Sequence, residues 1–194
     1  MNDAPLSSAA APPFRRLFSN QDICRRADEL VRDLRRALGD TPPCLVQVVE
    51  GARPFARLIQ RGFPGQVVHE VRAKSYQGTE SVGDVRVDLL GGLDAAAVAG
   101  RDVVVLEDIV DTGRTIEALR RVLRELGARR VRVVTLLSKP SRRVVDVEVE
   151  HVGFEIPDEF VIGFGMDLDE RYRELSDVVV FDPEVERAFG AVDS

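Results

Sequence analysis

Residues 103–115 contain the sequence feature that most constrains the fold. Four apolar residues, Val103 to Leu106, are followed by two acids, then by Asp-Thr-Gly at 111–113, and then by apolar residues at helical spacing up to Gly127. A short continuous apolar run is typical of a strand buried on both faces, and apolar residues three and four apart predict an amphipathic helix. The stretch therefore predicts a strand, an acidic loop and a helix, in that order.

The same order of elements recurs along the chain. A capping box at Ser19–Asp22 begins a helix that ends at Gly39, and the apolar run Leu45–Val49 leads through a glycine turn into a helix ending at Gly62. Further strands are predicted at 67–71, 85–89, 131–137, 144–149 and 178–181. Strands that alternate with helices predict an α/β fold with a mostly parallel, twisted sheet flanked by helices on both faces.

Length and composition predict one domain and exclude several classes of protein. The 194 residues suit a single domain at 14–194, after an Ala-, Ser- and Pro-rich tail at 1–13 without the apolar periodicity needed for order. The net charge of −6 disfavours nucleic acid or an anionic membrane as the main partner. A membrane-spanning helix needs about 18 consecutive apolar residues, and no apolar run in the sequence approaches this length. Two cysteines without a metal-binding spacing indicate a reducing, cytoplasmic setting.

The residues between the central strand and its helix suit a sugar phosphate. A helix start leaves backbone N–H groups unpaired and favours an anion, and Gly113 permits close backbone approach. The hydroxyls of Thr112 and Thr115 can donate to phosphate oxygens. The carboxylates of Glu107 and Asp108 suit sugar hydroxyls and hard cations such as Mg²⁺. Asp-Thr-Gly also occurs as a plain turn and helix cap, so the motif depends on its neighbours for specificity.

The segment Glu107–Thr115 resembles the phosphoribosyl pyrophosphate (PRPP) motif of type I phosphoribosyltransferases. Two other segments narrow the resemblance: Lys-Ser-Tyr at 74–76 is similar to the flexible loop of hypoxanthine-guanine phosphoribosyltransferases, and 152–175 is similar to their base-binding region. This resemblance implies the type I fold, with a small hood formed by N- and C-terminal segments. It also implies Mg²⁺-dependent transfer of phosphoribosyl from PRPP to N9 of hypoxanthine or guanine by a homodimer or homotetramer.

The resemblance implies roles for the matching residues. Asp111 is expected to act as general base or acid near N7 of the purine. Lys139, which follows the predicted strand 131–137, is expected to donate to the exocyclic oxygen of the base, while Phe160 stacks on its ring and the Val161 main chain reads its other edge. The expected PRPP contacts are Glu107, Asp108, Asp111, Thr112, Gly113, Arg114 and Thr115.

The leaving pyrophosphate is expected to meet a different set of residues. Mg²⁺ would be held by Asp167 together with Glu107 and Asp108. The backbone of Gly51 and the side chain of Arg173 would contact pyrophosphate, and a lid at 72–83 would close Ser75 and Tyr76 over it to exclude water. Without the resemblance, the same lid segment also fits an exposed hairpin, and Phe160-Val161 also fits a buried strand.

One position departs from the family pattern. Many relatives carry Lys-Gly in the pyrophosphate loop, whereas this chain has Glu50-Gly51. A carboxylate that points inward would repel pyrophosphate, so we expect Glu50 to face away and Gly51 to bind through its backbone. On this reasoning pyrophosphate affinity is weaker than in a Glu50→Lys variant.

Two other functions stay open at this level. One is a phosphoribosyltransferase for another base, such as xanthine or a pyrimidine. The other is a non-catalytic regulator that senses PRPP, although such a protein would need a nucleic-acid surface that the acidic balance disfavours.

Overall fold

The computed structural model describes residues 13–75 and 85–190 of the chain. The tail predicted at 1–13 therefore falls outside the described residues except for Pro13, as does the part of the predicted lid at 76–83. None of the helices in the described part of the chain is long and apolar enough to cross a membrane.

Nine strands and five α-helices make up the described ranges. The strands are β1 (Arg15–Phe18), β2 (Cys44–Val48), β3 (Val68–Ser75), β4 (Val85–Leu90), β5 (Asp102–Val110), β6 (Arg130–Ser138), β7 (His151–Glu155), β8 (Val161–Ile162) and β9 (Val178–Val180). The helices are α1 (Asn20–Leu38), α2 (Arg53–Gln60), α3 (Ala95–Val98), α4 (Arg114–Glu125) and α5 (Pro183–Gly190), with a short 3-10 turn at Pro140–Arg142.

The main sheet has six strands in the order β4-β3-β2-β5-β6-β7. All neighbours are parallel except β4, which runs antiparallel to β3. The strands β1, β9 and β8 form a second, antiparallel sheet, which joins N- and C-terminal segments into the expected hood. The α/β fold with a mostly parallel sheet is thus confirmed.

Residues 103–106 of the central strand β5 are all apolar, and both faces of the strand are covered there. Val104 and Leu106 belong to the core cluster that includes α1 and α2, whereas Val103 and Val105 belong to the cluster on the α4 side. All four side chains are fully buried. Each such burial stabilises the fold by about 1.5–3 kcal/mol, which fixes the strand and the residues that follow it.

The first helix begins and packs as its sequence predicts. Ser19 is the N-cap, its hydroxyl accepts from the Asp22 N–H, and the Asp22 carboxylate accepts from the Ser19 N–H, so both halves of the capping box form. One face of the helix is buried against the sheet: Ile23, Ala27, Leu30, Leu34 and Leu38.

The strand predicted at 144–149 is wrong. These residues form no strand, and β7 begins only at His151. The Val144 and Val145 N–H groups donate to the Thr112 carbonyl at 3.0 and 3.2 Å, so the segment is attached to the turn before α4. Val147 and Val149 pack against the α4-side core, which explains the alternating pattern without strand pairing.

Two further boundaries differ from the sequence predictions. β5 continues to Val110, so Glu107 and Asp108 lie on the strand rather than in a loop. β3 continues to Ser75, which pairs with Val85, so residues 72–75 of the predicted lid form the end of a strand.

Candidate active site

The turn between β5 and α4 forms a small pocket suited to an anion. Its volume is about 70 Å³, and it is lined by Glu107, Ile109, Val110, Asp111, Thr112, Gly113, Thr115 and Ile116. Gly113 is the N-cap of α4 with φ 89°, and a Cβ there would lie 2.9 Å from the Val145 carbonyl oxygen. Only glycine suits this conformation and this space. The first N–H groups of α4 have no partners within the helix, which favours a phosphate in the pocket.

Glu107 supplies a buried carboxylate to this pocket. Glu107 is 6% exposed, and its Oε2 atom is buried without a hydrogen-bond partner among the described residues. Burial, and then the neighbouring charge of Asp108, raise the pKa of Glu107 well above its ordinary value. A buried polar atom without a partner is costly, so this oxygen suits a ligand that donates to it.

A second pocket lies where β5 and β6 end beneath the hood. Its volume is about 240 Å³, and it is lined by Asp108, Ile109, Lys139, Phe160, Val161, Met166 and Asp167. Lys139 is buried, whereas Phe160 is 52% exposed and meets Phe181 edge-on with ring centroids 5.9 Å apart. One buried cation among apolar side chains suits a flat ring that carries a polar edge.

A chain of ion pairs joins the charged groups of the two pockets. The Arg142 Nε donates to Asp111 Oδ1 at 3.2 Å, and Arg142 Nη1 lies 3.6 Å from Asp158 Oδ2. The Lys139 Nζ lies 3.7 Å from the other oxygen of Asp158. Asp111 and Lys139 are therefore linked through Arg142 and Asp158, neither of which the sequence pattern singled out.

Arg143 holds the backbone of the same turn. Its guanidinium donates to the carbonyls of Val110 and Asp111 and to the Ser138 hydroxyl. Burial lowers the pKa of Arg143 from its ordinary value. Sequence reasoning missed this residue because the 3-10 turn that returns it to Asp111 has no signal beyond Pro140.

Three backbone segments meet next to Asp108. A Cβ on Gly51 would lie 1.8 Å from Asp108 Oδ2, and a Cβ on Gly165 would lie 2.3 Å from the Gly51 carbonyl oxygen. Arg173 fixes the third segment, since its Nη1 donates to the Gly165 carbonyl at 2.9 Å and its Nη2 lies 2.9 Å from Asp167 Oδ1. Only glycines allow the loops to come this close.

Glu50 lies in the same loop as Gly51 and follows a cis peptide bond with Val49. Its carboxylate pairs with Arg53 Nη1 at 3.2 Å and with Arg72 Nη2 at 3.6 Å. The side chain is 41% exposed. The negative charge is therefore compensated within the loop and its neighbours.

Comparison with known proteins identifies the family. Residues 15–170 match the family model described as phosphoribosyl transferase domain. The chain is 37% identical over 169 residues to a hypoxanthine-guanine phosphoribosyltransferase from Streptococcus thermophilus, with 87% of this chain and 93% of that protein covered. It belongs to the hypoxanthine-guanine phosphoribosyltransferases.

Two other members of this family agree in sequence and in fold. The hypoxanthine-guanine phosphoribosyltransferase of Lactococcus lactis is 40% identical over 171 residues, which cover 87% of this chain and 91% of that one. A solved hypoxanthine phosphoribosyltransferase from Staphylococcus aureus superposes with a TM-score of 0.79 at 33% identity, covering 88% and 92% of the two chains.

The residues expected from the phosphoribosyltransferase resemblance fall into three places. Glu107, Asp111, Thr112, Gly113 and Thr115 line the smaller pocket, and Arg114 is the first residue of α4 beside it. Asp108, Lys139, Phe160, Val161 and Asp167 line the larger pocket. Gly51 and Arg173 meet beside Asp108, Ser75 ends β3, and Tyr76 lies outside the described residues.

The residues expected to hold Mg²⁺ provide separate carboxylates and not a complete set of protein ligands. Among the described residues, no three His, Cys, Asp or Glu side chains converge as a metal site. Asp108 and Asp167 line one pocket, and within the described ranges Glu107 retains a carboxyl oxygen without a hydrogen-bond partner. This donor set fits Mg²⁺, which proteins commonly bind through one or two carboxylates together with substrate phosphates and water.

Proposed function

We propose that this protein salvages purines by transferring the 5-phosphoribosyl group of PRPP to N9 of hypoxanthine, and of guanine. The products are inosine or guanosine monophosphate and pyrophosphate. The observation that carries the proposal is that the phosphate-sized pocket and the base-sized pocket share Ile109 as a common wall. A ribose lying across Ile109 would have its phosphate in one pocket and its anomeric carbon at the other.

The larger pocket supports a 6-oxopurine as the base. The Lys139 ammonium can only donate, so it suits the exocyclic oxygen of hypoxanthine or guanine and opposes the amino group of adenine. Phe160 would stack on the ring, which adds about 0.5–1.5 kcal/mol beyond its burial. The Val161 main chain would bind the opposite edge of the base.

The smaller pocket supports binding of the 5-phosphate. The Thr112 and Thr115 hydroxyls and the N–H groups from Gly113 to Thr115 would donate to its oxygens. Glu107 and Asp108 would accept hydrogen bonds from the ribose hydroxyls, which would give the buried Glu107 Oε2 a donor.

Asp111 would transfer a proton to or from the purine. We assign it as the general base or acid at N7 as N9 bonds to the anomeric carbon and the bond to pyrophosphate breaks. The ion pair with Arg142 keeps its carboxylate at the opening of the pocket.

The leaving pyrophosphate would be bound on the opposite side of Asp108. The Gly51 backbone and Arg173 would contact it, and Ser75 and Tyr76 would cover it. Asp167, with Glu107 and Asp108, would hold Mg²⁺, which supplies positive charge against the charge that develops on the leaving group.

A coupled assay tests the proposal. With PRPP and Mg²⁺, we expect turnover of hypoxanthine and guanine, and none of adenine or uracil. Asp111→Ala should lower kcat by about 10²–10⁴, the usual contribution of a general acid or base. The control is Asp146→Ala, since Asp146 is an exposed acid in the neighbouring 144–149 segment. Binding of PRPP without turnover of any base would instead support a sensor, and turnover of xanthine or a pyrimidine alone would assign another base.

We also propose where the enzyme acts and how it assembles. We expect a cytoplasmic homodimer or homotetramer that acts on small molecules and binds neither nucleic acid nor membrane. The two cysteines, which are both unpaired, and the net charge of −6 support this setting. Sedimentation equilibrium measures the assembly.

A further inference from the structure

Four charged side chains surround the loop between β2 and α2. Glu50 pairs with Arg53 and Arg72, and Arg53 Nη2 also lies 3.3 Å from Glu70 Oε2. We call Glu50, Arg53, Glu70 and Arg72 the Glu50 cluster. Two carboxylates and two guanidinium groups leave it without net charge, so the departure from a lysine at position 50 is balanced locally.

The Glu50 cluster ties the loop to both elements beside it. Arg53 is the first residue of α2, and Glu70 and Arg72 lie on β3. Gln47 of β2 extends the connection, because its Nε2 donates to Glu70 Oε1 at 2.7 Å. A shift of Glu50 would therefore require a helix end and a strand to give up their partners.

The residue that this attachment positions is Gly51. In the described part of the chain its N–H donates to no backbone carbonyl, although the N–H groups of the next two residues, Ala52 and Arg53, donate to the carbonyls of Val48 and Glu50. Gly51 is also confined between Asp108 and Gly165, so its backbone can contact a ligand only if the loop keeps its position. A backbone N–H without a backbone acceptor can donate to the oxygens of an anion.

We propose that Glu50 is a positioning residue whose ion pairs with Arg53 and Arg72 hold the Gly51 N–H toward pyrophosphate. This inference rests on the proposed function, since it concerns the leaving group of that reaction. The paired side chains of Glu50, Arg53 and Arg72 are 41–42% exposed, and ion pairs of this exposure add little to the stability of the whole fold. These ion pairs act instead on the position of the loop between β2 and α2.

The direction in which pyrophosphate affinity changes when Glu50 is neutralised distinguishes a positioning role of Glu50 from a repulsive one. If Glu50 acted only by repelling pyrophosphate, as a carboxylate that points inward would, neutralising it would tighten binding. If Glu50 holds the loop, Glu50→Gln weakens binding, because the amide keeps the size of the side chain and loses the attraction to both arginines.

Calorimetric titration of pyrophosphate with Mg²⁺, and separately of inosine monophosphate, decides between them. We expect Glu50→Gln and Arg72→Gln each to raise the dissociation constant of pyrophosphate by about two- to fivefold, the range that loss of a partly exposed ion pair supports. The double variant should be no weaker than the weaker single variant, because both changes remove the same interaction. Inosine monophosphate should bind as before, and the KM for PRPP should rise while kcat stays.

Asp33→Asn is the matched control, since Asp33 pairs with Arg36 on α1 away from the site and its loss should change none of these constants. Pyrophosphate binding by Glu50→Gln that equals or exceeds that of the unaltered protein overturns the proposal. Equal losses for pyrophosphate and inosine monophosphate also overturn it, because they indicate a general loosening. Failure of the unaltered protein to turn over any base speaks against the proposed function, whereas the titrations still measure what Glu50 does.

Discussion

At the scale of the residue, Glu107 shows how the site is built at the expense of stability. Its carboxyl group is buried, one of its oxygens has no hydrogen-bond partner among the described residues, and Asp108 lies beside it. Burial of a carboxyl oxygen without a hydrogen bond costs free energy, which a ligand that donates to this oxygen would offset. The free protein should therefore be less stable than its fold alone allows.

Glu107→Gln tests this cost. The neutral amide removes the repulsion by Asp108 and eases desolvation, so we expect a higher melting temperature, by about 2–4 °C for each 1 kcal/mol gained in a chain of this size. The same change should raise the KM for PRPP, because a carboxylate acceptor for ribose is lost. Scanning calorimetry and initial rates measure the two effects, with the exposed Glu125→Gln as control. A lower melting temperature would contradict the cost assigned to Glu107.

The site residues that the sequence revealed are those close together along the chain. The acids at 107 and 108 and the Asp-Thr-Gly turn adjoin one buried strand, and Lys139 follows from the rule that ligands gather at the ends of parallel strands. Arg142 and Asp158 could not be found in this way. Their partners are set by side-chain conformations after a turn, for which sequence spacing carries no signal.

At the scale of the element, the buried Asp102 ties the start of β5 to that of β6. Its carboxylate accepts from Arg129 Nε at 3.0 Å and from Arg132 Nη1 at 3.1 Å. Arg132 is also buried, and it donates to the Ala37 carbonyl at 3.2 Å near the end of α1. The hydrogen bond from Arg129, and then that from Arg132, lower the pKa of Asp102.

Asp102→Asn should destabilise the fold by about 3 kcal/mol, since it leaves the buried Arg132 without its counter-charge. Because the folded-state pKa lies below the ordinary value of 3.8, the stabilisation is present above that value and is lost as pH falls through the folded-state pKa. Urea unfolding at several pH values should show a difference between the two proteins that is constant near neutrality and shrinks below about pH 4. A difference that grows on acidification would exclude this role.

The prediction of elements succeeded where periodicity and packing agree. α1 and β5 bury the faces that their apolar residues define. The segment 144–149 alternates in the same way as a strand, but the alternation arises from one side packing on α4 while the backbone bonds to Thr112. An alternating apolar pattern does not distinguish a segment that pairs with a neighbouring strand from one that only packs one side against the core.

At the scale of the whole molecule, the pocket that we propose for the base lies between two sheets. Lys139 directly follows β6 of the main sheet, whereas Phe160 directly precedes β8 of the hood, which begins at Val161. The hood strands are short, and β1 pairs with β9 from the far end of the chain, Arg15 opposite Val180. Periodicity cannot reveal such a sheet, which is why only the family resemblance implied it.

Phe14→Leu should loosen the hood and weaken base binding. The Phe14 ring lies 5.6 Å from the rings of Tyr172 and Phe181, and Phe181 meets Phe160. We expect the KM for hypoxanthine to rise several-fold, with a loss of about 1–2 kcal/mol in stability. Phe63→Leu is the control, because Phe63 is similarly buried but packs in the main core. Equal changes in the KM for hypoxanthine in the two variants would show that the packing of the hood does not determine base binding.

The backbone contact between Gly51 and Gly165 bears on how such an enzyme can evolve. A Cβ on Gly165 would lie 2.3 Å from the Gly51 carbonyl oxygen, so any larger residue at position 165 must push the two loops apart. The base pocket, in contrast, is walled by side chains such as Lys139, Phe160 and Met166, each of which can be exchanged while the backbone stays in place. We therefore expect substitutions in this chain to alter the nucleobase it accepts more readily than the backbone contact proposed to bind pyrophosphate.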